Sequence, residues 1–186
     1  MTADSQTSPP GFAVTMPHSS SARYYDEAYH RSFGSLYDAL TKETVEFVQA
    51  KLRPPARIVD FGAGTGRLAL PLARAGYTVV ATDPCEEMLA VLRSKAATEN
   101  LTLDTVRSRM QDEFPSPRFD FALCVFTVIV YLLDERALNA SFQRASAALR
   151  VGEVSMNCRL RFGCAPAAST PTGSNGRPGL TGDLFR

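Results

Sequence analysis

The eleven residues RIVDFGAGTGR, at positions 57–67, limit the fold of this chain more than any other segment. They place glycines at alternate positions directly after a short β-branched run that contains an acid. Glycine permits positive φ angles and leaves no Cβ between the backbone and a ligand. A glycine-rich turn that follows a strand and opens a helix is where parallel sheets bind ligands. The alternative is an ordinary glycine-rich turn, and the position between strand and helix favours ligand binding.

An acid stands at the distance that a ribose-binding role requires. Asp83 follows a second β-branched run, 19 residues after Gly64, and a carboxylate there can accept hydrogen bonds from both ribose hydroxyls. The same stretch also fits the start of a helix, with Asp83 as the N-cap, Pro84 at the first helical position and Glu86 closing a capping box. Neither role excludes the other, so both remain open.

Strand-like and helix-like segments alternate along the chain. Short β-branched runs at 57–61 and 77–82 enclose a helix-like segment that ends at Gly76, and Pro71 fits that helix only near its first turn. A second helix, a weaker strand within 101–108, a buried strand in the first half of 119–133 and an amphipathic helix at 134–150 follow. This alternation predicts an α/β fold with a doubly wound, mostly parallel sheet and helices on both faces.

The composition divides the chain into four parts. Residues 1–22 are rich in Ser, Thr and Pro and predict a disordered tail. Residues 23–56 predict a helical segment that ends at a Pro-Pro pair before the first strand. Residues 57–153 hold the alternating core, and residues 154–186 become rich in Gly, Pro, Ser and Thr and predict a second disordered tail. We therefore expect a sheet truncated after its fourth or fifth strand, with an exposed edge that an oligomer would cover.

Charge and cysteine spacing argue against several partners and sites. Lys plus Arg number 20 against 19 Asp plus Glu in 186 residues, which gives no electrostatic support for binding nucleic acid. The sequence shows neither a signal-peptide pattern nor an apolar run of membrane-spanning length, so we expect a cytoplasmic protein without membrane contact. Four cysteines without C-x-x-C spacing and two histidines near the start support neither a disulfide framework nor a metal site.

Arg67 narrows the choice of ligand. The dinucleotide fingerprint places glycine at that position, which weakens the interpretation as an NAD-linked oxidoreductase. The G-K-S or G-K-T of a nucleoside triphosphate loop is absent from the sequence. What remains is a nucleoside ligand without a pyrophosphate.

The stretch VDFGAGTGRLALPLARAGYTVVATDPCEEML closely resembles the class I methyltransferases that use S-adenosylmethionine, and the likeness extends from about Tyr24 to Glu153. The resemblance implies a Rossmann-like methyltransferase core with S-adenosyl-L-methionine as cofactor. The function it implies is transfer of the methyl group to an unidentified acceptor, for which we favour a small molecule. The shortened sheet predicts weak activity. A non-catalytic protein that only holds the cofactor is therefore the first alternative, and an NAD-linked oxidoreductase is the second.

The family's cofactor-binding positions carry over onto this sequence residue by residue. Those around the methionine end of the cofactor are Asp60, Gly62, Ala63, Gly64 and Gly66. Asp83 falls on the ribose acid, and the residues beside the adenine are Pro84, Met88, Met110 and Gln111, with Asp112 as a further candidate. The family often has an acid before the methionine, where this chain has Arg109. Cys124, followed by Val125 and Phe126, would face the sulfonium methyl, with core packing as the alternative.

Upstream aromatic residues fall where relatives place a helix over the cofactor. Tyr24, Tyr25 and Tyr29 are candidates for such a lid, and a surface helix with aromatic anchors is the alternative. His30 is of a residue type that serves as a general base, but a lone histidine is weak evidence. No catalytic residue is assigned from the sequence.

Overall fold

The computed structural model describes residues 18–112, 119–126, 128–132, 134–150 and 156–157. Most of the two predicted tails, at 1–17 and in 154–186, lies outside these ranges, as do Cys158 and Cys164. The core predicted at 57–153 is described except for short gaps and its last three residues.

Within the described ranges, five parallel strands form one sheet in the order β3-β2-β1-β4-β5. They span Arg57–Phe61 (β1), Thr78–Asp83 (β2), Asp104–Arg107 (β3), Phe121–Leu123 (β4) and Met156–Asn157 (β5). The strand order reverses between β1 and β4, and such a switch point opens a crevice at the carboxyl ends of the strands. The glycine turn therefore emerges into the crevice where ligands bind, and the predicted doubly wound parallel sheet is confirmed.

The described residues also contain five α-helices, which span Tyr25–Phe33 (α1), Ser35–Lys51 (α2), Ala69–Arg74 (α3), Glu86–Thr98 (α4) and Glu135–Ala148 (α5). Pro71 lies in the first turn of α3, as its missing amide hydrogen requires. The Asp134 side chain caps α5 by accepting a hydrogen bond from the Ala137 amide at 2.7 Å. Helix α3 is shorter than the predicted segment because turns occupy residues 64–68.

Alternate residues of the central strands face two separate hydrophobic clusters, one on each side of the sheet. In β1, Ile58 belongs to the cluster covered by α2, α3 and α4, whereas Val59 belongs to the cluster covered by α5. Strand β2 divides in the same way between Val79 and Val80. Full burial of each such side chain contributes about 1.5–3 kcal/mol. The two-sided burial explains why these strands are nearly continuous apolar runs.

The ordered N-terminal segment includes residues that the sequence assigns to a disordered tail. A 3₁₀ helix spans Ser19–Tyr24 and continues directly into α1. Its Ala22 is buried and packs with Cys85 and with Met88 of α4. The predicted boundary at residue 22 is therefore too late for residues 18–22, because burial against α4 offsets the loss of chain entropy.

Candidate functional site

The three glycines of the turn all have positive φ, yet they differ in what surrounds them. The angles are 70° at Gly62, 56° at Gly64 and 93° at Gly66. An added Cβ would collide with the side chain of Val128 at Gly62 and with those of Leu70 and Leu92 at Gly66. At Gly64 an added Cβ would meet nothing within 4 Å. Of the three, Gly64 is therefore the one that faces open space.

Asp83, at the carboxyl end of β2, holds the glycine turn in place. One carboxylate oxygen accepts a hydrogen bond from the Gly64 amide at 2.9 Å, and the other accepts from the Cys85 amide at 2.8 Å. Burial raises the pKa of Asp83, although these two hydrogen bonds oppose the rise. Each carboxylate oxygen has a second lone pair, so the group retains acceptor capacity for a ligand.

The capping alternative for Asp83 is wrong. Helix α4 begins at Glu86 with Cys85 as its N-cap, so Pro84 lies outside the helix. Asp83 accepts from the N-cap amide itself, not from an amide in the first turn. The Cys85 thiol donates to the Glu87 carboxylate at 3.2 Å, and no side chain caps the helix.

Asp60 is a buried carboxylate at the carboxyl end of β1. It is 3% exposed, and burial raises its pKa to about 7. The positive charge of Arg67 opposes that rise, and the negative charge of Asp83 adds to it. Among the described residues, no hydrogen bond reaches the Asp60 carboxylate. An acid in this state is suited to receive a cationic group from a ligand.

The positions expected beside the adenine lie around the ends of β2 and β3. Met88 is buried against Ala22, and Met110 is buried in the cluster on the α5 side of the sheet. Pro84 and Gln111 are half-buried. Asp112 accepts a hydrogen bond from the Arg109 amide at 2.8 Å and closes an exposed turn. The two methionines therefore serve packing, while Gln111, which follows Met110 in the chain, is a half-buried polar group.

The three residues that follow β4 have different surroundings. Cys124 is buried in the α5-side cluster, and Val125 packs against the other cluster. Core packing is therefore the role of the Cys124 side chain in the described structure, and contact with a cofactor stays a prediction for this residue. Phe126 is half-buried with a φ of 72°, which a non-glycine residue adopts only where its surroundings impose it.

Aromatic side chains of α1 and α2 surround Phe126. Its ring centroid lies 5.6 Å from those of Tyr29 and Phe33 and 5.9 Å from that of Tyr37. The Arg67 guanidinium carbon lies 5.0 Å from the Tyr37 centroid and 5.2 Å from the Phe126 centroid. These cation–π contacts join the glycine turn, the loop after β4 and the N-terminal helices.

The predicted lid residues divide into two groups. Tyr25 and Tyr29 stack on each other with centroids 4.2 Å apart and are half-buried. Tyr24 is exposed, and His30 is exposed and pairs with Asp38 at 3.8 Å. The described contacts of His30 therefore give no support for a role as general base.

Two polar contacts beside the site were not predicted from the sequence. The side chains of His18 and Tyr131 are hydrogen-bonded at 2.8 Å. Both interact electrostatically with Asp83, so the pair lies near that carboxylate. Asp26, Thr65 and Lys95 form a second group, held by hydrogen bonds between residues 30 to 69 positions apart. The one available signal was a lysine on the buried face of α4, three positions after Leu92.

The described part of the chain has no group of three His, Cys, Asp or Glu side chains placed to bind one metal ion. No helix within the described ranges is both long and apolar enough to cross a bilayer. Cys85 and Cys124 are buried, and neither forms a disulfide bond within the described residues.

Known proteins match this chain over the region that carries the site. The methyltransferase domain family matches residues 58–152, about half of the chain. A Geobacillus protein that is named as a methyltransferase is 33% identical over 125 residues, which are 62% of this chain and 51% of the relative. An uncharacterized protein of Mycobacterium tuberculosis is 29% identical over 166 residues, which are 84% of this chain and 59% of the relative. The chain therefore spans about half to three-fifths of the length of these relatives.

The fold is shared with solved structures of the same family. An S-adenosylmethionine-dependent methyltransferase of Clostridium acetobutylicum has a TM-score of 0.63 at 20% identity, covering 70% of this chain and 54% of that one. Because this identity is low, the likeness shows the fold, and the family match supplies the relationship. The chain belongs to the class I S-adenosylmethionine-dependent methyltransferase family.

Proposed function

We propose that this chain binds S-adenosyl-L-methionine in the crevice after β1 and β2 and transfers its methyl group to a small-molecule acceptor. The observation that carries the proposal is the open space at Gly64, beside the Asp83 carboxylate. One oxygen of that carboxylate accepts a hydrogen bond from the Gly64 amide at 2.9 Å. A ligand that contacts this backbone also lies within reach of the acid, which is the arrangement that a ribose with adjacent hydroxyls requires.

The remaining residues fit the two ends of this cofactor. The Asp60 carboxylate, which is buried and accepts no hydrogen bond among the described residues, is the counter-ion that we assign to the ammonium of the methionine end. The path of the turn is set by Gly62, Ala63 and Gly66. The positive φ angles of the two glycines and the side chains packed against them exclude larger residues at both positions. We assign the adenine to the half-buried Pro84 and Gln111, with the buried Met88 and Met110 packed beneath the surface.

The residues of this chain act by binding, orienting and excluding water. When bound, S-adenosylmethionine supplies a methyl group already activated by its sulfonium charge. Alignment of a bound acceptor supplies roughly 7–11 kcal/mol in well-oriented reactions. Phe126, fixed by the rings of Tyr29, Phe33 and Tyr37, is the side chain after β4 that we assign to the acceptor side of the crevice. We assign no acid or base to the transfer step.

A small acceptor is favoured over nucleic acid because the chain carries a formal net charge of only +1. A second copy of the chain is the oligomeric partner that we propose for the sheet edge at β5, the outermost strand on that side among the described residues. Light scattering behind a sizing column tests this part separately, since a strict monomer at high concentration contradicts it.

Isothermal titration calorimetry with S-adenosylmethionine, S-adenosylhomocysteine and NAD tests the assignment of the cofactor. We expect binding of the first two and no binding of NAD, because Arg67 occupies the position that the dinucleotide fingerprint gives to glycine. NAD binding alone would return the oxidoreductase alternative. Release of S-adenosylhomocysteine in the presence of a panel of hydroxyl, amine and carboxylate compounds then separates a methyltransferase from a protein that only holds the cofactor.

A further inference from the structure

Three side chains from three separate elements meet beside the glycine turn. The Thr65 hydroxyl donates a hydrogen bond to one carboxylate oxygen of Asp26 at 2.5 Å, and the Lys95 ammonium donates to the other at 2.6 Å. The same ammonium donates to the Thr65 carbonyl oxygen at 2.8 Å. We call this closed group of Asp26, Thr65 and Lys95 the Asp26 clasp.

The Asp26 clasp connects helix α1, helix α4 and the glycine turn. Thr65 lies between Gly64 and Gly66 and is 1% exposed, so its hydroxyl and carbonyl have no access to bulk water as an alternative partner. Asp26 and Lys95 are about half-buried, with side-chain exposures of 45% and 34%. Because both donor groups and all three acceptor oxygens are paired within the group, loss of one member leaves another without its partner.

The turn is thereby held from two independent directions. Asp83 of β2 accepts a hydrogen bond from the Gly64 amide, and Asp26 of α1 accepts one from the hydroxyl of Thr65. The first contact comes from within the sheet. The second comes from the N-terminal segment, which we define as residues 18–33, so the shape of the turn depends on whether that segment is docked.

The N-terminal segment also covers the side of the site that includes Asp83. Ala22 packs on Cys85 and Met88, and His18 reaches Tyr131 close to the ribose acid. Asp26, in the middle of the same segment, reaches Thr65 of the glycine turn. The segment therefore makes one contact near Asp83 and another at the turn itself.

We propose that Asp26 is a positioning residue that couples docking of the N-terminal segment to the shape of the glycine turn, and thereby tightens binding of the cofactor and slows its release. The proposal rests on the proposed function as far as the cofactor is concerned. Its structural half, that Asp26 restrains the turn, has a readout that needs no cofactor. Asp26 acts through Thr65, so it is not a catalytic residue.

Asp26→Asn in the full chain is the test, with Glu27→Gln as the matched control. Both substitutions remove one carboxylate from the first turn of α1, but Glu27 pairs only with Arg31 on the exposed side of the helix. Two quantities are measured for each variant. The first is the hydrogen exchange rate of the Gly64 and Gly66 amides without ligand, and the second is the affinity and dissociation rate of S-adenosylhomocysteine.

We expect Asp26→Asn to weaken S-adenosylhomocysteine binding by roughly fivefold or more, the lower end of typical coupling between two sites. Most of that change should appear as faster dissociation, and the Gly64 and Gly66 amides should exchange faster than in the control. Glu27→Gln should change neither quantity. Asp26→Glu, which keeps the charge, should recover part of the affinity, whereas a purely structural role would predict no such recovery at equal stability.

The outcomes separate this proposal from the proposed function. If the wild-type chain fails to bind S-adenosylhomocysteine, the proposed function fails, and exchange at Gly64 and Gly66 alone decides whether Asp26 restrains the turn. If the wild type binds and Asp26→Asn binds equally well, the coupling is overturned while the cofactor assignment stands. Should Asp26→Asn not fold, Lys95→Met removes the other ionic partner and is judged by the same two readouts.

Discussion

The backbone amide of Gly64 donates a hydrogen bond to the Asp83 carboxylate at 2.9 Å, and this bond joins the carboxyl ends of β1 and β2. The second carboxylate oxygen is used by the Cys85 amide. The Asp83 carboxylate is therefore already hydrogen-bonded without a ligand, and it fixes the backbone on which we expect the ligand to lie. Removing it should affect stability and binding together.

Asp83→Ala should weaken binding of S-adenosylhomocysteine by about 1.5–3 kcal/mol, the scale of hydrogen bonds to a charged group. The two amides left unpaired should also lower the free energy of unfolding by about 1–3 kcal/mol each if they stay buried. Calorimetry and urea unfolding measure the two effects. Asp112→Ala is the control, because its carboxylate accepts one amide in an exposed turn. Unchanged affinity in Asp83→Ala would remove the ribose assignment.

Gly64→Ala and Gly66→Ala form a matched pair that separates backbone strain from ligand space. Both positions have positive φ, so each substitution should cost about 1–2 kcal/mol of stability. Gly66→Ala should lose a further 1–3 kcal/mol, roughly, because its Cβ would overpack against Leu70 and Leu92. Gly64→Ala should fold but lose cofactor affinity, and Gly64→Val should lose more. Equal binding by Gly64→Ala and the wild type would show that the turn does not contact the cofactor.

The stability of the folded chain should fall as pH rises through the range set by Asp60. Its pKa is about 7 in the folded state against an ordinary value of 3.8, so the folded state binds this proton more tightly than the unfolded state. The resulting stabilisation is present below pH 3.8 and is lost between about pH 4 and 7, with a slope of at most ~1.4 kcal/mol per pH unit.

Asp60→Asn isolates this effect from other groups, including Asp83, whose pKa is also raised. The free energies of unfolding of both proteins are measured in urea at pH 5, 6, 7 and 8. The stability of the variant relative to the wild type should increase as the pH rises. Cofactor affinity of the wild type should rise over pH 6 to 8 as Asp60 becomes charged, and this rise should be absent from Asp60→Asn. A difference in stability that is flat with pH would contradict the raised pKa.

Arg67→Leu should destabilise the chain by about 1–2 kcal/mol, because it removes two cation–π contacts and a hydrogen bond to Thr41. Arg67→Lys should recover little of the loss, since an ammonium lacks the planar group that packs between two rings. Urea unfolding gives both values. Arg74→Lys at the exposed ion pair with Glu99 is the control and should change stability by less than about 1 kcal/mol. Full recovery by lysine would mean that charge alone matters at position 67.

The sheet and its main helices could be predicted because their signals are local. The β-branched runs of β1 and β2, the glycines between them and the first-turn position of Pro71 each depend on only a few neighbouring residues. The hydrogen bond between Asp83 and Gly64 follows from the parallel pairing of those strands. The position of Asp83 beside the turn could therefore be predicted from the sequence, although the hydrogen bonds of its carboxylate could not.

The contacts of the N-terminal segment could not be predicted in this way. Asp26 and Lys95 are 69 positions apart, and nothing in either neighbourhood specifies the other. Phe126 has a positive φ because packing against rings from α1 and α2 imposes it, whereas its local sequence favours an extended strand. The burial of Ala22 depends on α4, so composition alone assigned residues 18–22 to a disordered tail.

The position of Arg67 between two rings has a consequence for how such proteins change ligand during evolution. A single Arg67→Gly change would complete the glycine spacing of dinucleotide-binding loops. In this chain the same change would remove the contacts by which Arg67 links Phe126 to Tyr37 and Thr41 of α2. A lineage that made the change would therefore pass through a less stable intermediate unless compensating changes in α2 came first. The two ligand classes are thus separated by more than one mutational step.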